Sequence, residues 1–293
     1  MTNNFNTIGI IGYSCCKKIL FVCKKLYYWL DKNGYNIIID SRITNNLFIN
    51  KVNNGNINYI GKQADLAIVV GGDGNMLGAI RTLAYYKIKI IGINCGNLGF
   101  LTDINYSSLL QQLSEILSGN YIVEKRFLLE VYYILNGKKK KIGNAINEIL
   151  LRSNSIKSMI DILVYIDNKF AFLNYADGLI ISTPTGSTAY SLSIGGPIIT
   201  PLVKAIMLLP IFPHTLSSRP IIIKNTSVVK LFFPKNNKSI KVSCDNQVDF
   251  ILNTKKNIYI CSGNKYFNLI HPTKYNYFNL LRKKLFWLKN YRN

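Results

Sequence analysis

Residues 71–74, Gly71-Gly72-Asp73-Gly74, set one carboxylate among three glycines. Glycines let the backbone come close to a bulky anion, and N–H groups at a helix start, here from Asn75, can point at phosphate. A carboxylate repels phosphate, so Asp73 needs a second duty in such a cradle. Either it takes a proton from an attacking hydroxyl, or it holds a Mg²⁺ that neutralises the phosphates. Both duties belong to phosphoryl transfer, with Gly71, Gly72, Gly74 and Asn75 as the phosphate contacts. The plain alternative is a tight turn with an exposed Asp. The spacing is neither that of the P-loop nor that of the dinucleotide GxGxxG turn.

A second stretch, DGLIISTPTGSTAYSLSIGGP at 177–197, puts four hydroxyls around Gly186: Thr183, Thr185, Ser187 and Thr188. Hydroxyls and free N–H groups at a Gly turn suit a sugar, a base or a phosphate. Asp177 can bind a ribose hydroxyl or an amide. The alternative is a Ser/Thr-rich loop that caps a short helix.

These residues need elements to position them. Leu66–Val70 is a short β-branched apolar run stopped by glycine, which predicts a buried strand. It delivers Asp73 to the carboxyl end of a strand, where open α/β sheets place ligands. Around it the pattern alternates. A strand is expected at Ile8–Ile11, then a helix from an N-cap at Ser14 to about Asn33, with Gly34 beyond it. A strand at Asn36–Asp40 follows, then an Asn-rich surface connection over 41–64. After the glycine turn come a helix to about Tyr86, a strand at Ile88–Asn94, and a helix over 107–117 led in by Gly99 and Asp103. Such alternation predicts a parallel sheet covered on both faces. From Glu124 the pattern becomes a succession of short strands, with a hairpin signal at Asn136-Gly137 and a solvated lysine tip at Lys138–Lys141. The tail, Tyr275–Arg292, returns to helical spacing, with Phe278, Leu281, Leu285 and Leu288 on one face. The expected fold is therefore an α/β N-terminal domain with a parallel sheet (1–123), a β-rich, sandwich-like C-terminal domain (124–271), and a terminal helix (272–293) packing back on the first.

Composition narrows the classes. The 293 residues are 48% hydrophobic, which excludes a disordered chain. The formal charge of +22 attracts polyanions, but Lys, Asn and Ile are abundant everywhere and no basic block or aromatic-basic repeat stands out. A specific nucleic-acid role is not expected. The six cysteines form no CxxC pair and no histidine cluster completes a metal site, so free thiols in a reducing compartment are expected. The start lacks the features of a signal peptide, and no apolar run nears the ~18 residues of a span. A cytoplasmic chain without membrane contact is the expectation.

GGDGNML at 71–77, Asn147-Glu148, the long motif at 177–198 and PHTLSSRP at 213–220 together resemble the bacterial NAD kinases in order and spacing. The likeness runs from about Ile8 to the tail, where His271-Pro272 and Tyr277-Phe278-Asn279 also fit. GGDG alone is shared with diacylglycerol and sphingosine kinases and 6-phosphofructokinases; the 177–198 motif is the specific part. The resemblance implies ATP- and Mg²⁺-dependent phosphorylation of the 2′-hydroxyl of the adenosine ribose of NAD, giving NADP. It makes Asp73 the general base and Gly74 an NAD contact. It gives Asn147 and Glu148 the adenosine half of NAD. It places Asp177, Thr188, Ala189, Tyr190, Ser191, Leu192 and Ser193 along the NAD site, with Tyr190 as a stacking face, and Gln247 near the dinucleotide. It also implies a homo-oligomer, dimer or tetramer, whose sites are completed by a neighbouring subunit. The chain departs from the family pattern at Tyr175 and Ser158, where basic residues are common; Arg152 or Lys157 are the substitutes at hand. His214 and His271 read as structural. A lipid kinase sharing GGDG and a polyanion-binding protein are the rival readings.

Overall fold

The computed structural model describes residues 5–12, 16–47, 49, 52–96, 98–155, 159–234, 239–253 and 256–287. The chain forms two compact units, Met1–Lys125 with Phe267–Asn293, and Arg126–Tyr266.

The first unit runs β1 (Thr7–Gly12), α1 (Lys17–Lys32), β2 (Asn36–Asp40), α2 (Ser41–Leu47), β3 (Asn54–Gly55), α3 (Ile57–Gln63), β4 (Leu66–Gly71), α4 (Asp73–Leu83), β5 (Lys89–Asn94), β6 (Ile104–Asn105) and α5 (Leu109–Leu117). The strands pair in parallel in the order β3-β2-β1-β4-β5-β6. Every residue of β4 is buried, as a strand covered on both faces must be. One large cluster fills one side, joining Ile8, Ile10, Ile68 and Val70 of the sheet to Val22, Leu26 and Leu30 of α1. From β1 the chain goes to β2 on one side and later to β4 on the other. The carboxyl ends of β1 and β4 thus flank the point where strand order reverses, where such sheets form a crevice. Asp73 is the first residue of the helix that leaves β4.

Three expectations change here. The stretch 41–64 is not a plain connection: it holds α2, β3 and α3. Ile43 and Leu47 on α2 and Ile60 on α3 are buried, and the Asn56 side chain caps α3 by accepting from Tyr59 N–H at 2.9 Å. Helix α4 ends at Leu83, short of Tyr86. Helix α1 starts at Lys17, and the proposed cap Ser14 lies outside the described residues.

The second unit is antiparallel. It begins in β7 (Tyr121–Leu135) and continues through β8 (Lys138–Ala145), β9 (Glu148–Ser153), β10 (Ile160–Ile166), β11 (Lys169–Ser182), α6 (Tyr190–Ser193), β12 (Ala205–Pro213), β13 (Ile221–Lys224), β14 (Val229–Phe232), β15 (Ser239–Cys244) and β16 (Val248–Asn253) into β17 (Ile258–Pro272). Asn136 and Gly137 both take positive φ, as the hairpin signal requires. The four lysines after them are all exposed, as a solvated run must be. They form the start of β8, where Lys139 and Lys141 pair with Glu130 across the ladder. Strand β11 pairs with β10 up to Ala176 and with β9 from Gly178, while β12 lies along its other edge. Alternation along β9, β11 and β12 feeds two cores. Ile149, Leu151, Leu179, Ile181 and Leu208 join the main cluster; Leu150, Ile180, Met207 and Leu209 join a smaller one that Tyr190 and Ile194 cover.

The terminal helix α7 (Tyr277–Leu285) belongs to the first unit and buries Leu280 and Leu281. Phe278 is 57% exposed, so the inward face is shifted from the expected one; Leu288 lies outside the described residues. Among the described cysteines, all of them free, only Cys23 and Cys244 are buried.

Candidate active site

In the first unit, Asp73 is held by a loop that follows β5. Its Oδ2 accepts from Phe100 N–H at 2.7 Å, and its Oδ1 accepts from Leu101 N–H at 3.0 Å and Thr102 Oγ1 at 3.2 Å. Thr102 is buried and also accepts from Asn94 Nδ2 at 3.0 Å, which ties the loop to the end of β5. Gly99 makes the approach possible, since a Cβ there would lie 2.0 Å from Asp73 Oδ1. Three donors on one carboxylate fix its orientation. Above Gly72 the space is open: a Cβ on it would meet nothing within 4 Å. A large anion can therefore reach this backbone. The Asn75 N–H is not among the groups that face it; it closes a turn onto Gly72 C=O at 3.0 Å. The Asn75 side chain points back to Val70 C=O.

In the second unit, residues 146–148 are clamped from both sides. The Asp245 carboxylate accepts from Ile146 N–H at 3.0 Å, Asn147 N–H at 2.7 Å and Glu148 N–H at 3.3 Å. The carbonyls are taken from the other direction. Thr183 Oγ1 donates to Ile146 C=O at 2.6 Å, Thr183 N–H to Asn147 C=O at 2.8 Å, and Ser182 Oγ to Asn147 C=O at 3.2 Å. Gly186 packs onto the same peptide, where a Cβ would lie 2.2 Å from Asn147 O. With the backbone fully engaged, two side-chain oxygens are left over. Asn147 Oδ1 and Glu148 Oε2 are buried and have no hydrogen-bond partner in the protein. Glu148 is 3% exposed, and burial, with the nearby Asp245 charge, pushes its carboxyl up to about 8.

The hydroxyl-rich turn does less ligand chemistry than its composition suggests. Thr183 holds the 146–148 segment and accepts from Gly186 N–H. Ser187 bridges Pro184 and Ile199, and Thr188 Oγ1 bonds Thr185 C=O at 3.2 Å. These hydroxyls build the turn. Past it, Ala189 leads into α6, where Ser191 Oγ is buried without a partner, Leu192 is half-buried and Ser193 is exposed. Tyr190 is half-buried against the smaller core, which leaves only part of its ring to a ligand. Gln247 is exposed at the β15–β16 tip beside Asp245. Asp177 is exposed on β11, five residues before Ser182, hence roughly 16 Å along the strand. Tyr175 is also exposed and its ring sits 5.3 Å from that of His214. His271 is buried, with Nδ1 2.9 Å from Asp103 Oδ2. Ser158 and Lys157 lie outside the described residues. Sequence reasoning missed the 99–102 loop and Asp245 as parts of the two sites, and it offered Thr183 as a ligand hydroxyl where it holds backbone.

A two-domain chain with a carboxylate at the switch point of a parallel sheet, and a clamped Asn-Glu pair in a β-rich unit, has clear relatives. Residues 8–121 match the ATP-NAD kinase N-terminal domain and residues 146–272 the ATP-NAD kinase C-terminal domain. The chain belongs to the ATP-NAD kinase family. It is 51% identical over 289 residues to an NAD kinase of Photorhabdus laumondii, covering 99% of each chain, and 51% identical over 288 residues to one of Buchnera aphidicola, covering 98% and 99%. Its fold is similar to that of yeast NADH kinase complexed with NADH (TM-score 0.86, 24% identity, 99% and 90% covered). It is also similar to that of an NAD kinase from Archaeoglobus fulgidus in complex with ATP (TM-score 0.74, 21% identity, 94% and 98% covered).

Proposed function

We propose that this chain phosphorylates NAD to NADP with ATP, placing the new phosphate on the 2′-hydroxyl of the adenosine ribose. The observation that carries the reading is the pair of buried, unpartnered acceptors, Asn147 Oδ1 and Glu148 Oε2. A buried acceptor without a donor is costly, and a ligand that brings N–H and O–H groups removes that cost. Adenine offers an exocyclic amine to the Asn147 oxygen, and the ribose offers a hydroxyl to Glu148. Ser191, Leu192, Ser193, Thr188, Ala189, Tyr190, Gln247 and Asp177 extend the NAD contacts, and Gly74 lies beside Asp73.

Asp73 orients the attacking 2′-hydroxyl and takes its proton. Its loop contacts fix the carboxylate before substrate arrives, and in a loose transition state such positioning counts for more than basicity. The open backbone at Gly72, with Gly71 and Gly74 on either side of the Gly72-Asp73 pair, takes the phosphates of ATP. Mg²⁺ supplies charge neutralisation of those phosphates. Among the described residues no three His, Cys, Asp or Glu side chains gather into a metal cage. The ion would come with ATP, carried mainly by phosphate and water, with Asp73 as the protein oxygen at hand.

The partners are thus NAD, ATP and further copies of this chain. Edge strand β13 supports an oligomer: its Ile221 and Ile222 are exposed, as are Phe212 near the end of β12 and Leu216 on the loop between the two strands. No helix among the described residues is long and apolar enough to cross a membrane, and we read the chain as cytoplasmic.

The adenosine contacts are tested by Asn147→Ala and Glu148→Gln. Each is expected to raise KM for NAD about tenfold or more, the cost of a lost buried hydrogen bond, with KM for ATP unchanged. An unchanged KM for NAD in both variants refutes this placement of the adenosine.

A further inference from the structure

We propose that Asp245 is the positioning residue of the NAD site: its carboxylate sets the 146–148 backbone so that Asn147 and Glu148 present their free oxygens to the adenosine. The inference rests on the reading of Asn147 and Glu148 as NAD contacts and deepens it. Asp245 lies at the β15–β16 tip, 97 to 99 residues away in sequence from the groups it binds. It is 5% exposed and takes three successive backbone N–H groups on one carboxylate. Its own N–H donates to Glu148 C=O at 3.0 Å. Three donors converging on one anion make a stiff mount, because charge-assisted hydrogen bonds are the strong ones and their loss leaves buried N–H groups unmet. With the carbonyls of 146 and 147 already fixed by Thr183 and Ser182, the segment has no freedom left except in its side chains.

Asp245 also acts on Glu148 through charge. It is the charged neighbour that raises the Glu148 carboxyl, adding to burial; on β11 the residue in register with Glu148 is the uncharged Ser182. Removing the Asp245 charge therefore moves the Glu148 midpoint toward acid, which a purely structural residue would not do.

The backbone at 245 permits a clean test. Its φ of +53° suits Gly and Asn, so Asp245→Gly deletes the carboxylate without straining the turn, and Asp245→Asn keeps one acceptor oxygen. NADP formation is followed against NAD and ATP from pH 6 to 9, with amide hydrogen exchange on the same proteins. Asp245→Gly is expected to raise KM for NAD about tenfold with KM for ATP within about twofold. Asp245→Asn should recover part of that loss. In both variants the pH midpoint of KM for NAD should move acidward. In Asp245→Gly, exchange should quicken at Ile146, Asn147 and Glu148 while the rest of β9, from Ile149 to Ser153, keeps its protection. Unchanged KM for NAD with an unmoved midpoint overturns the proposal. So does a parallel rise in both KM values with exchange quickened throughout the unit. If the wild-type protein makes no NADP, the functional reading fails by itself. Exchange then decides on Asp245: unchanged protection at 146–148 in Asp245→Gly overturns the mount.

Discussion

At the scale of single residues, Glu148 carries the sharpest consequence. Its carboxyl is pushed up to about 8, chiefly by burial and then by Asp245. The protein alone therefore holds Glu148 largely protonated at neutral pH. A ribose hydroxyl that donates to Glu148 favours the carboxylate, so NAD binding is coupled to release of a proton. The sign follows: NAD affinity is full above pH 8 and weakens as pH falls through about 8, by up to about tenfold per unit. Calorimetric titration of NAD in buffers of different ionisation enthalpy reads the proton directly. Glu148→Gln should abolish both the release and the slope. A slope kept in that variant assigns the proton elsewhere. Asp73 was legible as chemistry because residue type and local spacing announce it; the Asn-Glu pair, an ordinary strand-end pair by itself, stood out only through the family resemblance. Asp245 was not, since its three contacts bridge about a hundred residues and nothing near it in sequence hints at them.

Elements decide how well those residues are held. The strand β4 and helix α4 were legible from an apolar run ended by glycine; β4 stands where the pattern puts it, while α4 starts at Asp73, two residues ahead of the expected Asn75, and ends short of Tyr86. The 98–102 loop was not legible as part of the site. Its role lies in backbone N–H groups of Phe100 and Leu101 reaching 27 and 28 residues back to Asp73, which no side-chain pattern encodes. The helices α2 and α3 escaped for a different reason: each is seven residues long and buries few side chains, too little for a 3.6-residue period to stand out. Gly99 is the element-level test of the Asp73 mount. In Gly99→Ala the new Cβ would sit 2.0 Å from Asp73 Oδ1, so the loop or the carboxylate must shift. We expect kcat to fall about tenfold or more, with NAD binding kept and the melting temperature little changed. A variant with wild-type kcat would show that the loop does not position Asp73.

For the whole molecule, the two-unit plan was legible because hydrophobic period and turn chemistry both change near residue 124. The long strands β7 and β17, each of 15 residues, carry the chain from one unit into the other. The charge of +22 acts at this scale as well. It gathers phosphate-rich substrates, and a field of that kind is screened over about 8 Å at physiological ionic strength. KM for ATP should therefore climb as salt is raised from low to physiological levels, while kcat holds. Retention on nucleic acid should be sequence-blind and lost at physiological salt. Tight retention there with a steep salt slope would instead speak for a polyanion-binding role.

The central claim is phosphoryl transfer from ATP to NAD at Asp73. It is tested most directly by NADP formation with NAD, ATP and Mg²⁺, run for the wild-type protein beside Asp73→Asn. The account predicts NADP from the wild type, and from the variant a rate lower by about a thousandfold with NAD binding retained. A wild type that makes no NADP, or a variant that keeps most of its rate, would contradict it.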